Sequence, residues 1–178
     1  MSMKILFMGT PDFAVPSLEA VIKDGHEVVA VFTQPDKPVG RKQIITPTPV
    51  KECALKYNIP VYQPTSLKNE EQLELMKSFK PDAVAVVAYG KIIPKEMLNV
   101  APLGFINVHG SLLPKYRGAA PIQWSVVNGD AVTGITTMLL NEGLDTGDIL
   151  ETASTAIGSN ETAGELFDRL SVMGSELL

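Results

Sequence analysis

The stretch KILFM (Lys4–Met8), closing on Gly9, is short and almost wholly apolar, the pattern of a parallel strand covered on both faces. Val15, Leu18, Val21 and Ile22 then recur at helical spacing. Pro16 suits a first-turn position and Gly25 supplies a stop, so strand and helix form one βα unit. Working outward, EVVAVFT (Glu27–Thr33) is a second, β-branched strand. Val50–Tyr57 reads as a helix, Val61 and Tyr62 as a short strand, and Asn69–Phe79 as another helix. AVAVVA (Ala83–Ala88) and GFINVH (Gly104–His109) are strands on either side of a helical Pro94–Leu98. Ala120–Asn128 follows as a helix, Val132–Leu140 as a strand and Ile149–Ala156 as an extended segment. Thr162 and Glu165 have the spacing of a capping box that opens a last helix. No internal repeat is present. The alternation predicts an α/β fold, a doubly wound and mostly parallel sheet with helices on both faces joined by right-handed crossovers.

A chain of 178 residues, 45% hydrophobic and 20% charged, is enough for one domain with a core of its own. Mean hydropathy is +0.13, and no apolar run approaches the ~20 residues of a bilayer span, which argues against membrane insertion and wholesale disorder alike. Met1–Met8 enters the first strand without the apolar run and cleavage site of a secretory signal, so a cytoplasmic location is expected. One cysteine, Cys53, cannot form an internal disulfide, and with two histidines it cannot furnish a structural zinc site; no metal is expected. Leu166, Leu170, Met173 and Leu177 of the last helix run to the chain end without a stop signal, as expected of a domain cut at its C-terminus.

The net charge of -5 hides an asymmetry. Between Gln34 and Lys56 stand Lys37, Arg41, Lys42, Lys51 and Lys56 against Asp36 and Glu52. From Gly129 onward Asp130, Glu142, Asp145, Asp148, Glu151, Glu161, Glu165, Asp168 and Glu176 face Arg169 alone, so a polyanion would approach the other side. The positive segment includes Gln34–Pro49, a loop with four prolines and longer than a βα connection requires, which reads either as a functional element or as a flexible insertion.

Ligands of open α/β sheets collect beyond the carboxyl ends of the strands. The first strand ends in Gly9, Thr10, Pro11, Asp12, which lacks the Gly-x-Gly-x-x-Gly spacing of dinucleotide binding. Another ends in Ala88, Tyr89, Gly90, Lys91, Ile92, where a glycine and apolar flanks suit a flat ring pocket. Asn107 and His109 lie two apart on a strand and so share a face, two polar groups able to stabilise one developing oxyanion. Asp145, bracketed by Gly143 and Gly147, is the candidate carboxylate to orient that histidine, whereas Glu142 and Asp148 read as solvated charges. His26 reads as a cap on helix carbonyls and Cys53 as a buried inert thiol. Ser111 lacks the elbow motif of a serine hydrolase.

Gly9-Thr10-Pro11 with Phe13 and Pro16, Asn107-Val108-His109-Gly110-Ser111-Leu112-Leu113-Pro114, Tyr116-Arg117-Gly118 and Asp145-Thr146-Gly147 together resemble the folate-dependent formyltransferases, in order along the chain, and most closely their tRNA-modifying members. The resemblance implies a Rossmann-like formyltransferase catalytic domain over 1–178, without the C-terminal β-barrel of full-length members. It implies transfer of a formyl group from 10-formyltetrahydrofolate to the amino group of methionyl initiator tRNA, in translation initiation. Asn107, His109 and Asp145 would be catalytic, with Ser111, Leu112, Leu113, Pro114, Tyr89, Gly90 and Ile92 at the folate. Arg41 and Lys42 on the long loop would meet tRNA phosphates. A monomer is expected. Glycinamide ribonucleotide or an amino sugar nucleotide remains open as acceptor, as does a fragment that binds folate or tRNA without turnover.

Overall fold

The computed structural model describes residues 1–178. In chain order its elements are β1 (Lys4–Gly9), α1 (Val15–Lys23), β2 (Glu27–Phe32), β3 (Lys37–Val39), β4 (Ile44–Thr46), α2 (Pro49–Lys56), β5 (Val61–Tyr62), α3 (Glu70–Ser78), β6 (Ala83–Val87), β7 (Phe105–His109), α4 (Pro121–Val127), β8 (Val132–Leu139), β9 (Ile149–Ala156) and α5 (Ala163–Leu177). Short 3-10 turns occupy Asp12–Ala14 and Lys95–Met97. No helix is long and apolar enough to cross a membrane.

Local sequence sets the helix starts. Thr48 accepts the Lys51 N–H and Asn69 the Gln72 N–H, each replacing an intrahelical acceptor that a first turn lacks. Thr162 and Glu165 make both halves of the capping box. His26 acts differently from the helix cap its position suggests: its Nδ1 accepts the Met3 N–H (3.1 Å) and so ties the start of β1 to the end of the α1 loop.

Seven strands form one sheet in the order β5-β2-β1-β6-β7-β8-β9. The first five are mutually parallel, as the alternation of strands and helices predicts. β8 and β9 run antiparallel, with Ile106 opposite Leu139 and His109 opposite Thr136. The end of β8 therefore lies beside the start of β7, not beside its end.

Period-two alternation divides the strands between two cores. Ile5, Phe7, Val31, Ala85, Val87, Val108 and Ile135 face Leu18 of α1, Val50 and Cys53 of α2, Ile122 of α4, and Leu166 and Leu170 of α5. Leu6, Met8, Phe32, Val84, Val86 and Phe105 face Met76 of α3, with Leu67 and Met97. The coverage is unequal: four helices shield the first face and one the second. On β7, Asn107 and His109 follow Phe105 onto the second face, beyond the cover of α3.

Residues 34–49, read from the sequence as a loop, contain the β3–β4 hairpin, pairing Lys37 with Thr46 and Val39 with Ile44. Its base is anchored at Asp36, whose carboxylate accepts from Lys51 Nζ (2.8 Å) and Gln63 Nε2 (2.7 Å). Those two partners hold the Asp36 carboxyl below its ordinary value, through Lys51 first.

Leu166 is fully buried between α5 and the sheet. Leu166→Ala is expected to lower stability by about 2–5 kcal/mol, read as a lower urea midpoint with an unchanged m value.

Candidate active site at the end of β7

His109 lies at the last position of β7, with only 8% of its side chain exposed. A buried imidazole must find partners for its nitrogens. Its Nε2 lies 2.8 Å from the Tyr116 carbonyl oxygen, which only accepts, so Nε2 carries a proton and donates. Its Nδ1 faces Asp145 Oδ2 at 3.7 Å, a charge pair when the ring is protonated but too long for a hydrogen bond. A neutral ring would turn a lone pair toward that carboxylate.

Asp145 reaches His109 by an indirect route. Because β8 is antiparallel to β7, the loop after Leu139 begins near the wrong end of β7 and folds back across the second face. Gly147 makes the fold-back possible, since a Cβ there would run into the Leu139 carbonyl. The Leu139 N–H donates to the Asp148 carbonyl (2.9 Å), and Asn141 Oδ1 accepts from the Gly143 N–H and the Thr146 hydroxyl. At the apex, Asp145 Oδ2 accepts the Gly118 N–H at 2.7 Å, and Arg117 Nε donates to the Asp145 carbonyl at 3.1 Å. Gly118 takes a left-handed φ of 86° that a side chain would strain. Lys95 pairs with Glu142 (2.7 Å) at the surface, where both side chains stay exposed, so Glu142 is the solvated charge its sequence position suggests, with a partner on the turn before β7. This ion pair holds Lys95 above its ordinary value.

Asn107 is half-buried one pleat before His109, and its amide takes no part in the surrounding side-chain hydrogen bonds. Asn107, His109 and Asp145 are therefore brought together at one end of the second face. The residues predicted around them divide. Ser111 is buried, donates to the Lys115 carbonyl and accepts, through its own carbonyl, from Thr136 Oγ1. Leu113 is buried, Leu112 half-buried and Pro114 exposed. The Tyr89 ring turns into the second core, where burial pushes its hydroxyl up to about 12, and only its backbone reaches the crevice. Ile92 is 84% exposed, and the N–H groups of Gly90–Ile93 make no backbone hydrogen bond. Arg41 and Lys42 stand exposed at the hairpin tip, which follows β2, three strand positions from β7. Cys53 is buried, and burial pushes its thiol up.

Two cavities lie near these strand ends or beside α3. One of about 350 Å³ lies between the hairpin and the ends of β1 and β2, lined by Thr10, Gln34, Lys37 and Thr48 among others. Its floor is tied across to β6, because the Tyr89 carbonyl accepts from both Thr10 Oγ1 (2.8 Å) and Gln34 Nε2 (3.1 Å). The other, about 580 Å³, lies between the start of α3 and the Lys95–Met97 turn and includes none of the three clustered residues.

Sequence reasoning did not anticipate the parts played by Tyr116, Gly118 and Asp130. The Tyr116 hydroxyl donates to Asp130 Oδ2 (2.6 Å) and accepts from Asn128 Nδ2 (2.8 Å). The Tyr-Arg-Gly motif was the only available signal, because the side-chain partners Asn128, Asp130 and Asp145 lie twelve or more residues away. Tyr116 and then Lys115 hold the Asp130 carboxyl below its ordinary 3.8. A carboxylate whose folded value is depressed stabilises above its unfolded value and loses that contribution as pH falls through the folded one. The Tyr116 ring resonances in an acid titration should therefore stay constant down to about pH 4 and move only below it. Movement starting near neutral pH would contradict the pairing.

A family model described as formyl transferase matches residues 3–178. The methionyl-tRNA formyltransferase of Ruminiclostridium cellulolyticum is 57% identical over 99% of this chain, and that of Pelotomaculum thermopropionicum is 55% identical over the same share. This chain spans 56% of the length of each. Among solved structures, a phosphoribosylglycinamide formyltransferase from Streptococcus pneumoniae superposes with a TM-score of 0.79 at 21% identity, covering 98% of this chain and 94% of that one. A formyltetrahydrofolate deformylase from Pseudomonas syringae gives 0.78 at 18% identity, covering 99% and 58%. At these identities the superpositions establish a shared fold.

Proposed function

The chain belongs to the formyl transferase family, and from that premise we propose that it transfers the formyl group of 10-formyltetrahydrofolate to the amino group of methionine on initiator tRNA. The observation that carries the reading is the cluster itself: a free amide and an imidazole side by side on an open sheet face, with a carboxylate 3.7 Å from the ring.

The reaction converts a planar formyl carbon into a tetrahedral centre with a negative oxygen as the neutral amine attacks. Asn107 donates to that oxygen from its amide and His109 from Nδ1, the nitrogen left free by the Tyr116 carbonyl. Asp145 favours the charged ring and helps move protons from the attacking amine toward the departing nitrogen. The transfer is direct, so no nucleophile from the protein is needed. For the folate, the open N–H groups of Gly90–Ile93 beside exposed Ile92 suit the polar edge and flat face of a heterocycle, with Leu112 and Pro114 as further apolar surface. Ser111 and Leu113 would act there by holding that loop in place.

Two features support a tRNA acceptor over a small amine. Relatives above half identity bear the methionyl-tRNA name. The hairpin also presents Arg41 and Lys42 at an exposed tip, where phosphates would meet them, while Lys51 is already spent on Asp36.

The deciding experiment is transfer of labelled formyl to methionyl initiator tRNA, with glycinamide ribonucleotide as the parallel acceptor. Formylmethionyl-tRNA is expected. Product on the small acceptor alone would overturn the acceptor assignment, and folate binding without product would make this a binding module. His109→Ala should cost roughly 2.7 kcal/mol or more of transition-state stabilisation, about a hundredfold in kcat, while the donor still binds. Arg41→Ala should weaken tRNA binding and flatten its dependence on salt; an unchanged salt slope would return the hairpin to a structural role.

A further inference from the structure

The acceptor that fixes His109 is a backbone carbonyl, and that carbonyl belongs to a residue in an unusual conformation. Tyr116 adopts a φ of 55°, a left-handed backbone that residues with side chains rarely take unless their surroundings hold them there. What holds it is the far end of its own side chain. The phenol donates to Asp130 (2.6 Å) and accepts from Asn128 (2.8 Å), while Lys115 lies 2.9 Å from the same Asp130 oxygen and 5.1 Å over the ring. Asp130 is in turn fixed just past α4, its N–H bonded to the Ser125 carbonyl at 3.0 Å. A continuous line of hydrogen bonds and covalent backbone therefore runs from the end of α4, through the phenol, to the carbonyl that accepts from His109 Nε2.

The same three residues also reach the carboxylate. Gly118 donates to Asp145 Oδ2 and Arg117 to the Asp145 carbonyl, so Tyr116-Arg117-Gly118 spans both members of the pair. No other segment hydrogen-bonds to both side chains. We propose that the Tyr116 phenol is a positioning group for the reaction: anchored on Asp130 and Asn128, it sets the carbonyl that accepts the His109 Nε2–H hydrogen bond and so turns Nδ1 toward Asp145 and the reacting oxygen. The catalytic part of this rests on the formyl-transfer reading; the control of the histidine ring does not.

Tyr116→Phe keeps the ring and removes both phenol hydrogen bonds. In the 178-residue chain labelled with 15N-histidine, the His109 Nε2 proton should give an observable, slowly exchanging resonance. In Tyr116→Phe that resonance should broaden or vanish and the nitrogen shifts should move toward mixed tautomers. In the formyl-transfer assay kcat should fall roughly tenfold or more with the donor KM unchanged, the pattern of a misplaced catalytic group. A variant that melts earlier yet keeps the His109 signature and kcat would show a merely structural tyrosine and overturn the proposal. If Tyr116→Phe does not fold, Asp130→Asn keeps the phenol and an oxygen acceptor; it should shift the His109 signature in the same direction by less, and no shift would overturn the proposal equally. A wild-type chain that shows the Nε2 signature without formyl transfer would sink the functional reading and leave the positioning claim standing.

Discussion

His109 is a buried polar ring at the carboxyl end of an otherwise apolar strand, and it needs polar groups around it: an acceptor at Nε2 and a carboxylate facing Nδ1. Three separate parts of the chain bend to meet that requirement. β7 delivers the ring to the second face, the segment after it returns Tyr116 to Nε2, and the loop after β8 folds back to bring Asp145 opposite Nδ1. The unequal coverage of the sheet makes room for this. Four helices on one face and one on the other leave the end of β7 open to solvent on the side where Asn107 points.

The mix of strand directions now has a physical reading. Five parallel strands carry the crossovers that pack α1, α2 and α3, and they align the strand ends at one edge where loops gather. An antiparallel β8 breaks the rule that the loop following a strand lies at that edge. It also gives the Asn141–Asp148 loop a path across the sheet face, longer than a strand-end turn and able to wall the crevice as well as supply a charge. The Lys95–Glu142 pair and the Gly118–Asp145 hydrogen bond pin that wall at two points.

Charge is divided along the same lines. The hairpin carries Lys37, Arg41 and Lys42 away from the acidic C-terminal half, where Asp130 and Glu161 are already matched by Lys115 and Arg169. Pairing neutralises some of these carboxylates, and most of the acidic residues of that half stay without a basic partner, so that side remains unattractive to a polyanion. Lys51 shows the converse: a basic residue in the positive segment that serves as a strut for Asp36.

The sequence by itself determined the local facts. ILFM after Lys4 and AVAVV from Ala83 read as buried strands because every side chain in them is apolar, Thr162 and Glu165 had to start a helix, and Asn107 and His109 had to share a face because strand side chains alternate. A run of prolines between Gln34 and Pro49 hid the hairpin, since the pairing of Lys37–Val39 with Ile44–Thr46 depends on anchors at Lys51 and Gln63 outside the run. Direction and distance were beyond local pattern. Whether β8 runs parallel or antiparallel decides which end of the sheet Asp145 starts from, and the alternation within β8 is the same in either direction. Which nitrogen of His109 donates was likewise decided only in the folded chain, because the carbonyl that accepts from it belongs to a tyrosine anchored on a carboxylate fourteen residues further on.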